Sequence, residues 1–255
     1  MYLTVQALVL RVTNYNDSDA LLTLLTKKHG KITVKARGLR RKNSPLAAPC
    51  QVLSFAEFTL FEYKNQYTIN EAHSIELFQG LRADLQRFSL GTYFLQVAEV
   101  ISLEDAPNPE LLSLALNSLY MLTQMSENEK KIKAVFELRV ACLAGYTPDL
   151  EGCYICSDPS PLLFNTKEGH LICRGCDDCT EFGIRLPITQ GVLSAMRYIC
   201  SCDAKKLFAF SVGDESLELL CDASESYLIA QLEKSFTTLD FYKRLLYGGL
   251  DLLGE

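Results

Sequence analysis

Ten cysteines stand in this 255-residue chain, and four of them are spaced for metal. Cys153-Tyr-Ile-Cys156 is followed, after sixteen residues, by Cys173-Arg-Gly-Cys176. Each CxxC pair makes a tight turn that aims two sulfurs at one point. Two such turns meeting across a hairpin complete a tetrahedron of thiolates, the donor set of a structural zinc site. The spacer has the residues for that hairpin. Leu162-Leu-Phe-Asn165 and His170-Leu-Ile172 are short apolar runs, and Thr166-Lys-Glu-Gly169 between them is turn chemistry. Four thiolates close the coordination sphere and leave no position for an activated water, so one zinc ion here is expected to be structural. Cys179 extends the second pair to Cys173-x-x-Cys176-x-x-Cys179, which makes Cys176 with Cys179 an alternative second turn. Cys173 is preferred because the hairpin reaches it directly. An iron–sulfur cluster is the other chemistry that four thiolates offer.

A second constellation is electrostatic. The formal net charge is −6, yet residues 1–79 hold ten Lys and Arg against six Asp and Glu, while residues 80–255 hold fifteen against twenty-five. No acidic residue falls between Asp19 and Glu57, where Lys27, Lys28, Lys31, Lys35, Arg37, Arg40, Arg41 and Lys42 all stand. A patch this dense can bind polyanions even on an acidic chain, because screening removes charges beyond about 8–10 Å. Ile32, Val34 and Ala36 alternate with Lys31, Thr33, Lys35 and Arg37, so one face of a strand enters a core and the other is basic. Gly38 ends that strand, and Leu39-Arg-Arg-Lys-Asn-Ser-Pro45 forms a basic loop. Lys31, Lys35, Arg37, Arg40, Arg41 and Lys42 are therefore candidate phosphate contacts, without base reading, which makes binding sequence-tolerant and salt-dependent. A solvated charged face is the ordinary reading of any single lysine; the missing acids and the period-two segregation favour nucleic acid.

Other residues are weighed against plainer roles. Tyr63 and Tyr67 flank a Lys64-Asn65 turn and could stack bases, but rim or core packing is the commoner use. Lys130, Lys131 and Lys133 read as a solvated helix face. His29, His73 and His170 are too scattered for a general base. Cys50, Cys142, Cys221 and Cys200-Ser-Cys202 read as small buried hydrophobes.

Elements to position these groups follow from periodicity. Thr4 to Val12, Ala20 to Thr26, Lys31 to Arg37, Gln51 to Tyr63 and Gln66 to His73 are strand-like. Five short strands in about eighty residues suit a small closed barrel, of which the OB-fold is the commonest that handles nucleic acid. From residue 80 the period becomes helical. Leu81, Leu85 and Phe88 share one stripe and Leu90, Phe94, Val97 and Ile101 the next. Asn108 is a candidate N-cap with Pro109 at the first helical position. Ser126-Glu-Asn-Glu129 spells a capping box for a helix closing at Gly145. Helices are expected again from Thr189 to about Ile199, Ser216 to Leu232 and Phe236 to Leu246, with 205–212 left ambiguous. The class is α+β: an OB-fold barrel over 1–79, an α-helical domain over 80–150 and 185–255, and a zinc ribbon over 151–184 that interrupts it.

Composition excludes several functions. An apolar fraction of 48% with 22% charged residues fits a globular protein, and the apolar runs are far short of a membrane span. The N-terminus has no basic region ahead of its apolar residues, and ten cysteines without secretion signals point to reduced thiols, so the expected compartment is the cytoplasm. No catalytic set is found. A zinc deaminase needs H-x-E before P-C-x-x-C, and here Glu168-Gly-His170 has the wrong order and no proline precedes Cys173. A thiol–disulfide enzyme needs one CxxC at a helix N-terminus, and no P-loop or dinucleotide fingerprint occurs.

With those residues in view, the chain resembles the RecO family of bacterial recombination mediators. The stretch Phe136-Glu-Leu-Arg139, Leu143-Ala-Gly-Tyr146-Thr-Pro148-Asp-Leu150 leading into Cys153-x-x-Cys156 matches the family's Gly-Tyr-x-Pro entry to its zinc module. Asp19, His29-Gly30, Lys35-Ala-Arg37-Gly38, the Arg40-Arg41-Lys42-x-Ser44 loop and Lys234-Ser235-Phe236 fit as well. The resemblance covers essentially the whole chain. It implies a non-enzymatic protein that binds single- and double-stranded DNA, anneals complementary strands, and acts with RecR and often RecF. It implies contact with the acidic tail of single-stranded-DNA-binding protein and help in loading RecA. The family pairs Cys173 with Cys176, although the four-cysteine site is absent from some of its lineages. A zinc-ribbon transcription or protein-interaction module is the alternative, which the basic barrel and the Gly-Tyr-x-Pro entry disfavour.

Overall fold

In the computed structural model the described residues are 1–124, 127–160, 162–179 and 183–248. They form two compact units, Met1–Met125 with Phe236–Glu255, and Ser126–Ser235.

The first unit is built on a closed barrel of β1 (Tyr2–Asn14), β2 (Ala20–Thr26), β3 (Lys31–Ala36), β4 (Phe55–Tyr63) and β5 (Gln66–Glu76). Its order is β1-β2-β3-β5-β4, closing back on β1, with β3 and β5 parallel, which is the OB-fold arrangement. Closure depends on the length of β1. Its first half, Tyr2 to Leu8, pairs with β4, and its second half, Ala7 to Asn14, pairs with β2, with a bulge between Val9 and Arg11. Val9, Leu22, Leu24, Val34, Phe58, Leu60 and Ile69 fill the interior. The fourth strand starts at Phe55 instead of Gln51. Leu53 sits at φ 72° with its N–H on the Val9 carbonyl, a geometry no strand residue adopts.

Helices α1 (Gln79–Arg82), α2 (Leu85–Ile101) and α3 (Pro109–Gln124) follow. Asn108 caps α3 as its spacing predicts, accepting from the Leu111 N–H at 3.0 Å. α2 packs on β1 and α3 on β2. That cover explains why β2 lacks alternation: all but one of its residues are buried, because both faces meet apolar neighbours. The chain returns to this unit with the last helix, Thr237–Tyr247, which packs on α2, and Phe236 meets the Tyr93 ring edge-on at 5.6 Å.

The second unit contains α4 (Glu129–Leu143), the strands β6 (Asp149–Cys153), β7 (Leu163–Asn165), β8 (His170–Ile172) and β9 (Arg185–Pro187), and the helices α5 (Gln190–Ser201) and α6 (Asp214–Leu232). The cap of α4 is Asn128, whose side chain accepts from the Lys130 N–H at 2.9 Å; the capping-box residue Ser126 lies outside the described residues. Gly145 ends α4 at φ 93°, with the Tyr146 N–H on Ala141 and the Gly145 N–H on Cys142, a Schellman closure.

The lysines of α4 correct the reading of a solvated face. Lys131 and Lys133 are 6% and 4% exposed, and Glu137 is fully buried. Lys133 Nζ lies 2.8 Å from one Glu137 oxygen and 2.7 Å from Glu225, while the Ser224 hydroxyl donates to Glu137 at 3.0 Å. Lys131 Nζ donates to the carbonyls of Phe208 and Phe210 and to Glu127, above the Phe210 ring. Lys130 pairs with Glu218. Charges this deep persist only when paired, and α6 supplies two of the carboxylates, Glu218 and Glu225.

Candidate metal centre and basic face of the barrel

The four-stranded sheet has the order β6-β8-β7-β9, so β6 and β8 lie side by side and parallel. β6 ends in Cys153 and β8 ends one residue before Cys173, which places the two CxxC turns together. In the first, the Ser157 N–H returns to the Cys153 carbonyl at 2.8 Å, with Ser157 at φ 61°. In the second, a 3-10 turn over Arg174–Cys179 brings the Cys176 N–H to the Cys173 carbonyl at 3.0 Å.

The sulfurs of Cys153, Cys156, Cys173 and Cys176 all lie within 4.8 Å of one another, and the Cys156–Cys173 pair is 3.6 Å apart. A tetrahedral Zn–S₄ site with bonds of about 2.3 Å has sulfurs about 3.8 Å apart, so the donors fit one such ion. Burial opposes ionisation of Cys153, but N–H groups of Cys156, Cys173 and Ile155 aim at its sulfur and bring the thiol down to about 6. The neighbouring thiols of Cys173 and Cys156 push Cys176 the other way. Four thiols this close cannot all ionise beside one another without a cation to hold them. Cys179 closes the 3-10 turn; its side chain lies outside the described residues.

The module is seated on helices of its own unit. Phe164 packs against the Tyr227 ring at 5.4 Å, and Gln231 donates to the carbonyls of Thr166 and Lys167. Gly169, at φ 71°, lies so near Tyr227 that a Cβ there would stand 2.9 Å from its hydroxyl, so any side chain would strain the backbone and displace the ring. Arg197 of α5 donates to the carbonyls of Leu150 and Glu151. His170 stacks on Tyr154 at 4.4 Å as part of the hairpin.

On the barrel, β3 segregates as its alternation predicts, with Ile32, Val34 and Ala36 buried and Thr33 exposed. The six candidate cations then divide. Lys31 donates to the Glu99 carbonyl at 2.9 Å, satisfying the C-terminal end of α2. Lys35 pairs with Asp19 at 3.2 Å and lies over the Tyr15 ring at 4.7 Å. Arg40 donates to the Asn16 carbonyl and, through its own N–H, to that of Ser18. Arg37, Arg41 and Lys42 are exposed, and no carboxylate among the described residues is paired with them. The β2–β3 turn adds exposed Lys27 and Lys28.

Sequence reasoning missed the bracket under this loop. Asn16 accepts the N–H groups of Ser18 and Asp19, and Asp19 in turn accepts the Gly38 N–H at 2.9 Å. That N–H, together with Asn16, Lys35 and Ser18, outweighs desolvation and holds the Asp19 carboxyl well below the usual carboxylate range. The only signal was an Asn-x-x-Asp turn ahead of β2. A depressed native pKa contributes stability above the ordinary value of 3.8, and that contribution is lost as pH falls through the native value. Asp19→Asn is therefore expected to flatten the acid limb of the stability curve and to speed amide exchange over 37–44; exchange at the wild-type rate would count against the bracket.

Residues 1–78 match the family model described as Recombination protein O N terminal, and residues 82–240 match Recombination protein O C terminal. DNA repair protein RecO of Acetivibrio thermocellus is 33% identical over 246 residues, covering 96% of this chain and 97% of the relative. DNA repair protein RecO of Alkaliphilus metalliredigens is 30% identical over 248 residues, covering 96% and 100%. That of Caldicellulosiruptor saccharolyticus is 28% identical over 244 residues, covering 95% and 98%. Among the described residues no helix is long and apolar enough to cross a membrane.

Proposed function

Because the chain belongs to the RecO family of DNA repair proteins, we propose that it acts as a recombination mediator without catalysis of its own. It binds single- and double-stranded DNA, anneals complementary strands, and with RecR, often also RecF, helps load RecA onto strands coated by single-stranded-DNA-binding protein, whose acidic tail it contacts. It works in the cytoplasm. The observation that carries this reading is the exposed, acid-free run of Arg37, Arg41 and Lys42 on a barrel of OB topology. The donors of Lys31, Lys35 and Arg40 also serve the fold, so these residues contribute field more than direct contact.

The division of labour follows the chain: DNA contact in 1–79, a helical domain in 80–150 and 185–255, and a ribbon insertion in 151–184. One zinc ion held by Cys153, Cys156, Cys173 and Cys176 is structural, because it clamps two turns and offers no open position.

Strand annealing of complementary DNA, naked and then coated with single-stranded-DNA-binding protein, tests the function; no annealing in either state would leave a fold without this activity. Phosphate contact has its own readout. Replacing Arg37, Arg41 and Lys42 by Ala is expected to weaken binding on all sequences alike. The slope of log K against log salt should fall by about 0.7–0.9 per contact removed. An unchanged slope would move the interface elsewhere.

A further inference from the structure

Outside the metal group, two sulfurs are in direct contact. Cys142 lies in the last turn of α4 and Cys200 in the last turn of α5, and their Sγ atoms are 3.6 Å apart. Neither belongs to the four-cysteine cluster. The pairing is held in register by a separate interaction. Arg139, one helical turn before Cys142, donates from Nη1 to the carbonyls of Ile199 and Cys200 at 3.2 and 2.8 Å. That guanidinium joins the two helix ends and places a positive charge beside both sulfurs. On the other side, the Schellman closure at Gly145 fixes the backbone beyond Cys142.

We propose that Cys142 and Cys200 form a peroxide-responsive dithiol that closes to a reversible disulfide between the ends of α4 and α5. The Cys142 thiolate attacks one oxygen of a hydroperoxide; an S–O bond forms, the O–O bond breaks, and the other oxygen leaves as hydroxide or alkoxide and takes up a proton. Cys200 then attacks the sulfenic sulfur; the S–S bond forms, the S–O bond breaks, and water leaves with the Cys200 proton. Two thiols lose two electrons and the peroxide gains them. Closure asks the sulfurs to move from 3.6 Å to about 2.05 Å.

Reactivity should fall on this pair in preference to other thiols outside the metal group. The hydrogen bond shared with Cys200 brings the Cys142 thiol down to about 7 against the cost of burial, with Thr147 and the Arg139 charge assisting. Burial pushes Cys50 and Cys221 up to about 12. The thiolate is the nucleophile, so these two serve as internal controls. The position matters too. α4 leads into β6 and α5 follows β9, so the bond would tie together the chain segments entering and leaving the ribbon.

The test uses the full chain with its metal in place. After limited hydrogen peroxide, non-reducing peptide mapping is expected to find Cys142 joined to Cys200, with Cys50 and Cys221 still free and the metal retained. A thiol reductant should restore both thiols. Cys142→Ser and Cys200→Ser should each abolish the linked peptide, while their thermal melts without peroxide stay near wild type. Oxidation of the metal cysteines with metal release before any 142–200 link would overturn the proposal. So would a Cys200–Cys202 bond, or equal oxidation of Cys50. If either variant folds poorly, the wild-type peptide map alone decides.

Discussion

Replacing Cys153 by Ser is expected to abolish metal binding at the four-cysteine site and to unfold the ribbon ahead of the helices that carry it. The four-stranded sheet is small: three of its strands have three residues each, and its buried apolar side chains are few, chiefly Leu150, Phe164, Leu171 and Ile172. Short strands with so little core do not hold themselves. In structural zinc modules the apparent metal-binding free energy is about 10–16 kcal/mol at neutral pH, which is in effect folding free energy. Metal analysis of purified Cys153→Ser, Cys156→Ser, Cys173→Ser and Cys176→Ser should therefore show near-complete loss in each. Limited proteolysis should cut within 149–187 while α4 and α6 remain protected. Cys50→Ser, at a buried thiol of the barrel, should keep its metal. Full metal in Cys173→Ser would transfer that ligand position to Cys179. Chelation of the wild-type protein should reproduce the proteolytic pattern.

The second large effect belongs to the buried ions of α4. Glu137→Ala leaves Lys133 with Glu225 alone and the Ser224 hydroxyl with only the Cys221 carbonyl, at a place where the original pair is almost wholly buried. Breaking such a pair from one side costs about 3–5 kcal/mol, which for a chain of this size lowers the melting temperature by roughly 6–20 °C. Lys133→Met together with Glu137→Leu should recover much of that, because it removes the charges in place of orphaning one. A single Glu137→Ala that melts like wild type would show the network to be ornamental. Alkaline pH gives an independent check. Burial works against the Lys133 charge, but Glu137 and Glu225 outweigh it and raise the ammonium above its ordinary 10.5. A raised native value means the stabilisation is complete below 10.5 and is lost as pH climbs through the higher native value. The wild-type melt should fall in that window more steeply than that of the Lys133→Met, Glu137→Leu protein.

What could be read from residues alone was local. The alternation at Lys31–Ala36, the bounds of β2, Asn108 as a cap, Gly145 as a helix end and the paired CxxC turns each depend on neighbours within a few positions, and the structure has them as read. Failures came where a partner lies far along the chain. Three lysines in four residues look solvated until Glu225, ninety-two positions after Lys133, is placed beside them. Cys142 and Cys200 are separated by fifty-eight residues, so no spacing rule pairs them. The spacing that marks Lys31 and Lys35 as candidate phosphate contacts does not show that they also reach the Glu99 carbonyl and Asp19. Leu53 has the side chain of a strand residue, and only its backbone torsion keeps β4 from starting before Phe55.

The way β2 is buried bears on how this protein is made. Leu8, Leu10 and Leu25 point away from the barrel interior, yet all are buried, since α2 and α3 cover that wall. During synthesis from the N-terminus, all five strands are complete before either helix has emerged. For that interval the nascent barrel carries a bare strip of leucines, a surface on which two chains could meet. The helices after Glu76 thus cover apolar surface that the barrel does not bury by itself. Any piece cut at the end of the last barrel strand would be released with its sticky side uncovered.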